Sequence, residues 1–481
     1  MLLRHSFYYL FARGVPGLVN FAALALYTRL MAPEDFGRYS LVLAAVGLVD
    51  VMVFQWLRLV LARFIPAHRE HPESVQATTL ALFLALATAV LIVGGAAGLL
   101  WPDPILRGLI AIGVSLTLVQ AWLQLDLTLA SAQLQPGRYG YLMGSKSLLS
   151  IIVGGWLTWL GLGTYGPLSG LIFGSIFAWF IFGLRTWRGI RPQWPESSQL
   201  RDYVAYGLPL VVTFGLGWVI ASSDRLIIAW LLDEAAAGVY AVGYDLPQQT
   251  LGLALTIINT AAHPLATRRL EHEGVEAAGA QMHRNGELIT TFAFTGAAAL
   301  VALAPQLVEL IVGSAFREGA LAVLPWVAVS AAVAGMKAFH FDIAFHLMRQ
   351  SRWLVITTTI AALANLALNF LLIPAYGILG AAWATLAAFA VGCVSSAILG
   401  RRLFPMPPAL PLLIKASTVA ACMYAGVSVI LLLEIPAIFE LSLGGAAGAL
   451  LAIATSILLN IGGVQEGLVA RIRARKSTKI S

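Results

Sequence analysis

Apolar stretches of about 20 residues recur from one end of this chain to the other, each long enough to cross roughly 30 Å of hydrocarbon as a helix. Inside hydrocarbon every backbone N–H and C=O needs a partner within the structure, which leaves α-helices or closed β-barrels. Barrel strands would show as alternating segments of about ten residues, and the sequence has none. Composition agrees: 59% of residues are hydrophobic and 11% charged, against roughly 25% charged in soluble domains. The expected fold is an all-α integral membrane protein.

The spans are expected at 6–31, 37–63, 76–100, 106–131, 139–162, 167–188 and 204–232, then at 237–266, 286–313, 321–348, 353–373, 377–400, 411–433 and 440–463, about 14 transmembrane helices in all. The longest connections, around 189–203 and 267–285, leave no room for a folded soluble domain. Arg4 and the run Ala23-Leu24-Ala25 mimic a signal peptide, but Arg13 interrupts its apolar region, so the segment is kept as the first span.

The formal charge of +7 would by itself suit a nucleic-acid partner, but the cations sit in short segments between spans and in the tail. The even-numbered gaps carry Arg69, Arg138, Arg191 with Arg201, Arg268 with Arg269 and Arg284, Arg349 with Arg352, and Arg401 with Arg402. The tail adds Arg471, Arg473, Arg475, Lys476 and Lys479, whereas the seventh gap holds Asp233 and Glu234. Cytoplasmic loops concentrate Lys and Arg. Both termini are therefore expected in the cytoplasm, on a multi-pass inner (plasma) membrane protein with an even number of spans and no nucleic-acid partner. Cys393 and Cys422 lie in separate apolar spans without metal-ligand spacing and are read as packing residues, with no metal site.

An internal repeat is visible. Leu30-Met31-Ala32-Pro33-Glu34-Asp35-Phe36-Gly37-Arg38-Tyr39 follows span 1, and Leu231-Leu232-Asp233-Glu234-Ala235-Ala236-Ala237-Gly238-Val239-Tyr240 follows span 7, at an offset of 201. Tyr165-Gly166-Pro167-Leu168 opens span 6 and Tyr376-Gly377-Ile378-Leu379 opens span 12, at an offset of 211. Spans 1–6 and 7–12 therefore read as two parallel six-helix repeats, forming two lobes around a central cavity. The organisation becomes an N-lobe at 1–190, a cytoplasmic linker at 191–203, a C-lobe at 204–403, an extra hairpin at 410–463 and a basic cytoplasmic tail at 464–481.

Ionisable groups inside spans cost about 2.5–3.5 kcal/mol each on insertion scales and need partners, water or a function. Span 1 holds Arg13 and Asn20 on one face, and span 2 holds Asp50 and Arg58 with Phe54 between them. Span 7 contains Asp224 and Arg225; span 8 presents Asp245, Gln249, Thr256, Asn259 and His263 at helical spacing. These are the first hairpins of the two halves, so their polar stripes are expected to meet in a hydrated cavity carrying cations. The structural alternative pairs Asp50 with Arg58 and Asp224 with Arg225. Span 10 adds Lys337, His340, Asp342 and His346, the last two placed one turn apart as an ion pair, a proton relay or a packing pair. In span 4, Gln120 and Gln124 lie on a polar face with Thr117, Thr128 and Ser131, with Asp126 off it. Hydrogen bonding between helices and contact with a sugar are both open for that face. Asn365 and Asn369 of span 11 are read as packing residues. There is no P-loop, dinucleotide turn or nucleophile elbow, so no catalytic residue and no cofactor is assigned, and the chain reads as a transporter.

The run Tyr27-Thr28-Arg29-Leu30-Met31-Ala32-Pro33-Glu34-Asp35-Phe36-Gly37-Arg38-Tyr39-Ser40 resembles the first outer loop of bacterial oligosaccharide flippases. These include the O-antigen and exopolysaccharide flippases of the multidrug/oligosaccharidyl-lipid/polysaccharide superfamily. Ile373-Pro374-Ala375-Tyr376-Gly377-Ile378-Leu379-Gly380-Ala381-Ala382 is similar to the same family's turn before its twelfth span. The resemblance implies alternating-access export of a polyprenyl-diphosphate-linked oligosaccharide, with Arg13, Arg58, Arg225 and Lys337 engaging the diphosphate. For such a doubly anionic cargo, export is expected to run on the inside-negative potential alone or with Na⁺ or H⁺ uptake through Asp50, Asp245 or the Asp342/His346 pair. Membrane lipids, a polysaccharide polymerase and glycosyltransferases are the implied partners. The competing expectations are a drug/cation antiporter on the same scaffold and a membrane-embedded polymerase or ligase. Buried acids are usual in the first span of the related antiporters, where this chain has Arg13.

Overall fold

A computed structural model describes residues 17–68, 72–463 and 465. Arg13, Arg69 and the basic tail lie outside them. In order, the helices at the expected spans are α1 (Gly17–Leu30, an apolar helix shorter than a span within the described residues), α2 (Pro33–Ala67), α3 (Pro72–Leu100), α4 (Pro104–Ala132), α5 (Pro136–Leu162), α6 (Tyr165–Phe182) and α7 (Ser197–Leu231). Then come α8 (234–273), α9 (Val275–Ala302, continued at 66° by Ala304–Ile311) and α10 (Ser314–Leu347). The helix Ser351–Leu403 breaks at Gly377 into α11 (351–376) and α12 (378–403), and α13 (Ala409–Leu431) and α14 (Ala437–Leu458) complete the chain. The protein is an all-α membrane protein of two parallel six-helix repeats and an extra hairpin.

Local chemistry sets the helix starts. Proline occupies the first turn of α2, α4 and α5, where its missing N–H costs nothing. Asp103 caps α4 by accepting from the Ile105 amide at 3.0 Å. Helix α8 falls short of the apolarity demanded of a span by hydropathy alone, because Asp245, Gln249, Asn259 and His263 interrupt it.

Among the described residues, four spans contain a π turn: Asp50–Phe54, Thr158–Leu162, Gln248–Gly252 and Lys337–Phe341. Each inserts one residue and re-aims the side chains beyond it. Those of α2 and α8 fall at matching places in the two repeats. The kinks refine the repeat register. Gly163 (φ 48°, ψ −126°) and Gly377 (φ 58°, ψ −139°) share one backbone conformation. Three residues on, a Cβ at Gly166 would strike Thr158 and one at Gly380 would strike Leu372. All three equivalences run at an offset of 214, so the second sequence match moves by three residues.

Internal contacts divide the chain into two compact units, Met1–Ala241 and Val242–Ser481. In the first, α2 is the hub. Phe54, Leu57, Val60 and Leu61 are buried against Leu125 and Leu129 of α4, Val75 of α3 and Tyr203 of α7. Helices α5 and α6 meet along a seam of small residues, where a Cβ on Gly170 would overlap Gly154 and one on Gly174 would overlap Ser150. Such seams are how helices approach closely where lipid removes the hydrophobic driving force. In the second unit, Leu251 and Leu255 of α8 pack with Ile289 and Ala293 of α9 and with Ala328 and Ala331 of α10. The extra hairpin closes through Gly426 and Gly448 and rests on α9.

Candidate functional site

The first unit contains an open cavity of about 430 Å³ lined by Asp50, Gln55, Arg58, Leu59 and Ala62 of α2 and by Gln124 and Thr128 of α4. The π turn explains why Asp50 and Arg58 share it. In a regular α-helix, eight residues rotate by about 800°, leaving the two side chains about 80° apart. One residue absorbed by the π turn brings them to within about 20° of each other. Arg58 Nη1 and Nη2 donate to the two Asp50 oxygens at 2.9 and 2.8 Å, a two-point fork. Gln55 Oε1 accepts a further bond from Arg58 Nη2. Of the residues read from sequence, Asp50, Arg58 and Gln124 come together here. Gln120 sits one turn away on α4, half-buried and outside the lining.

Asn20 is exposed on α1. Asp224 of α7 is 1% exposed, and its carboxylate accepts from the Tyr240 hydroxyl at 2.6 Å. Arg225 beside it is half-buried, as are Asp245 and Gln249 flanking the start of the α8 π turn. In the second unit Lys337 Nζ donates to Asp342 Oδ2 at 2.8 Å, and Ser396 of α12 donates to the other carboxylate oxygen at 2.6 Å. His346, exposed, meets His263 edge-to-face at 5.9 Å. Asn259, His263 and His340 line a second, much smaller cavity.

Three polar links escaped the sequence reading. Asp126, fully buried, accepts from Arg138 and from Trp187 Nε1 at 2.9 Å, tying α4 to α5 and to the turn after α6. Its sequence signal is a lone acid off the polar face of its helix. Glu287 of α9, 5% exposed, accepts from Lys415 Nζ of α13 at 2.5 Å and from the Gly462 amide at 2.8 Å. A lysine inside span 13 was the signal available there. In the turns at offset 201, Arg38 Nε donates to Glu234 Oε2 at 2.6 Å. Beside that bond Gly37 and Gly238, the two equivalent glycines, pack so closely that a Cβ on either would strike the other's turn. The repeat was legible; its self-contact was not.

A family model described as "Polysaccharide biosynthesis protein" matches residues 26–321. No curated protein matches in sequence. Among solved structures, a lipid II flippase MurJ in an inward closed conformation is similar with a TM-score of 0.73 at 14% identity, covering 95% of this chain and 99% of that one. An inward-facing multidrug resistance MATE family transporter of the MOP superfamily gives 0.61 at 13% identity over 80% of this chain and 94% of that one. A MOP superfamily transporter from Pyrococcus furiosus, for which a reversed polarity of the binding pocket suggests a different function, gives 0.59 at 14% identity over 83% and 94%.

Proposed function

Because the chain belongs to the polysaccharide biosynthesis protein family, we propose that it is a flippase for a polyprenyl-diphosphate-linked oligosaccharide, an O-antigen or exopolysaccharide repeat unit. It carries this cargo from the cytoplasmic to the periplasmic leaflet of the inner membrane by alternating access. The observation that carries the reading at the site is the cavity in which Arg58 faces Gln124. A guanidinium fork matches phosphate oxygens as well as it matches a carboxylate. Arg58 is held by Asp50, so the diphosphate binds by exchange: its oxygens take the two Nη donors and Asp50 is released. Gln124, with Gln120 one turn away, then offers amide groups to the sugar. Arg13 and Arg225 add positive charge to the headgroup.

The polyprenyl tail, and membrane lipid in its absence, occupies the open groove of about 650 Å³ along α13, lined by Leu413, Ile414, Ala421 and Ala425 among others. The diphosphate carries about two negative charges, so outward movement down an inside-negative potential yields roughly 4–5 kcal/mol per 100 mV. Potential alone, or uptake of Na⁺ or H⁺, then drives export. With both termini cytoplasmic, the chain hands its cargo from cytoplasmic glycosyltransferases to a periplasmic polymerase.

The second reading, a drug/cation antiporter, is favoured by the likeness to multidrug transporters. Arg58→Ala in cells making the surface glycan separates the two. A flippase loses surface glycan while lipid-linked intermediates accumulate inside; an antiporter loses drug tolerance with the glycan intact. A polymerase would let single repeat units reach the surface.

A further inference from the structure

The small cavity in the second unit is a polar space of about 10 Å³ among Asn259 and His263 of α8, Met282 and Asn285 of α9, and His340 of α10. Three buried atoms at these residues have no hydrogen-bond partner: His263 Nε2, His340 Nε2 and Asn259 Oδ1. His340 is only 2% exposed, and its ring edge fills the space left by Gly286, where a Cβ would overlap it. Asn285 is committed elsewhere, donating to the Ala262 carbonyl at 2.9 Å and accepting from Gln281 at 2.9 Å. It pins α8 to α9 and walls the cavity.

Three orphaned polar atoms around a space the size of one water call for a group that both donates and accepts. We propose that His263 and His340 bind one proton between them across a single water held against Asn259, and that this is the coupling-ion site of the transporter. In the uncharged form one Nε2–H donates to the water, which donates to the other Nε2 and to Asn259 Oδ1. Adding a proton to the second Nε2 forms one N–H bond and breaks none. Both rings then donate to the water, which still donates to Asn259. The three side-chain atoms are satisfied in both forms, and protonation leaves only one O–H of the water without an acceptor. Sodium fits poorly, since the cavity offers one amide oxygen and two imidazole nitrogens in place of the oxygen cage that hard cations take.

The surrounding charges limit the site to one proton. Facing His340 are His283 of α9 and Arg401 of α12; facing His263 is His346. Glu287 is engaged by Lys415 and lies 3.5 Å from His283 Nε2. Lys337 and Asp342 cancel each other. A second proton would add a like charge beside the first, which disfavours it.

That this proton drives export rests on the flippase reading; its binding does not, and can be measured on purified full-length protein in detergent without any lipid-linked sugar. Protons taken up between pH 8 and pH 5 are counted for the wild type, His263→Gln, His340→Gln and the double variant. The double variant is expected to take up one proton fewer than wild type. A deficit of two means independent histidines, and a deficit of none means no proton site; either overturns the proposal. Asn259→Asp keeps both rings and sets a carboxylate on the water. It is expected to raise the proton affinity of the same step by about tenfold or more, and an unmoved step overturns the proposal even where the double variant fails to fold. Glycan export unchanged in the double variant, despite its missing proton, would count against coupling alone. An intact titration in a chain that exports no glycan would count against the flippase reading alone.

Discussion

The guanidinium of Arg58 is held at both Nη atoms by the Asp50 carboxylate, which the π turn at Asp50–Phe54 brings onto the same face of α2. Removing a hydrogen-bonding charge from its charged partner costs about 1.5–3 kcal/mol. Arg58→Ala is therefore expected to lower export efficiency by roughly 10- to 150-fold, measured as initial flipping rate against substrate concentration. Asp50→Asn frees the guanidinium from its competitor, so the headgroup binds more tightly and leaves more slowly. KM and the maximal rate are expected to fall together; a raised KM would show that Asp50 itself holds the cargo. Glu287 is a different case, a buried acid that joins helices. Breaking a fully buried pair costs about 3–5 kcal/mol, but Lys415 is 35% exposed and solvent screening reduces this. Glu287→Gln is expected to cost about 1–2 kcal/mol, read as a lower melting temperature in detergent.

Among the helices, the spans were legible because each must satisfy its own backbone within lipid, and that demand is written in length and apolarity. Helix α8 shows the limit: its polar stripe weakens the very signal that identifies a span. The kinks were hidden for a related reason. Gly163 and Gly377 adopt positive φ, yet in a chain with 45 glycines nothing local marks those two. The sequence match therefore settled on a Tyr-Gly pair three residues off register. The α5–α6 seam tests the packing account. Gly170→Leu would force a branched side chain into the backbone of Gly154. Overpacking of this kind typically costs 1–3 kcal/mol, so a lower yield of monodisperse protein is expected, with an unchanged yield counting against close packing there.

For the molecule as a whole, composition, span count and the repeat were enough to reach the fold, because a membrane admits few alternatives. The cargo was less accessible: charges inside spans read equally as ion pairs or as a binding site, and Arg58 turns out to be both paired and cavity-lining. Whether the pair opens for a diphosphate is a matter of reaction, not of resting geometry. The direct measurement is flipping in proteoliposomes that contain the purified chain and a fluorescent polyprenyl-diphosphate-linked oligosaccharide, under an imposed membrane potential. Transfer between leaflets that depends on the chain, falls at least tenfold in Arg58→Ala and is blocked by excess unlabelled lipid diphosphate is the expected result. Transfer no faster than in empty vesicles, or equally fast without Arg58, would contradict it.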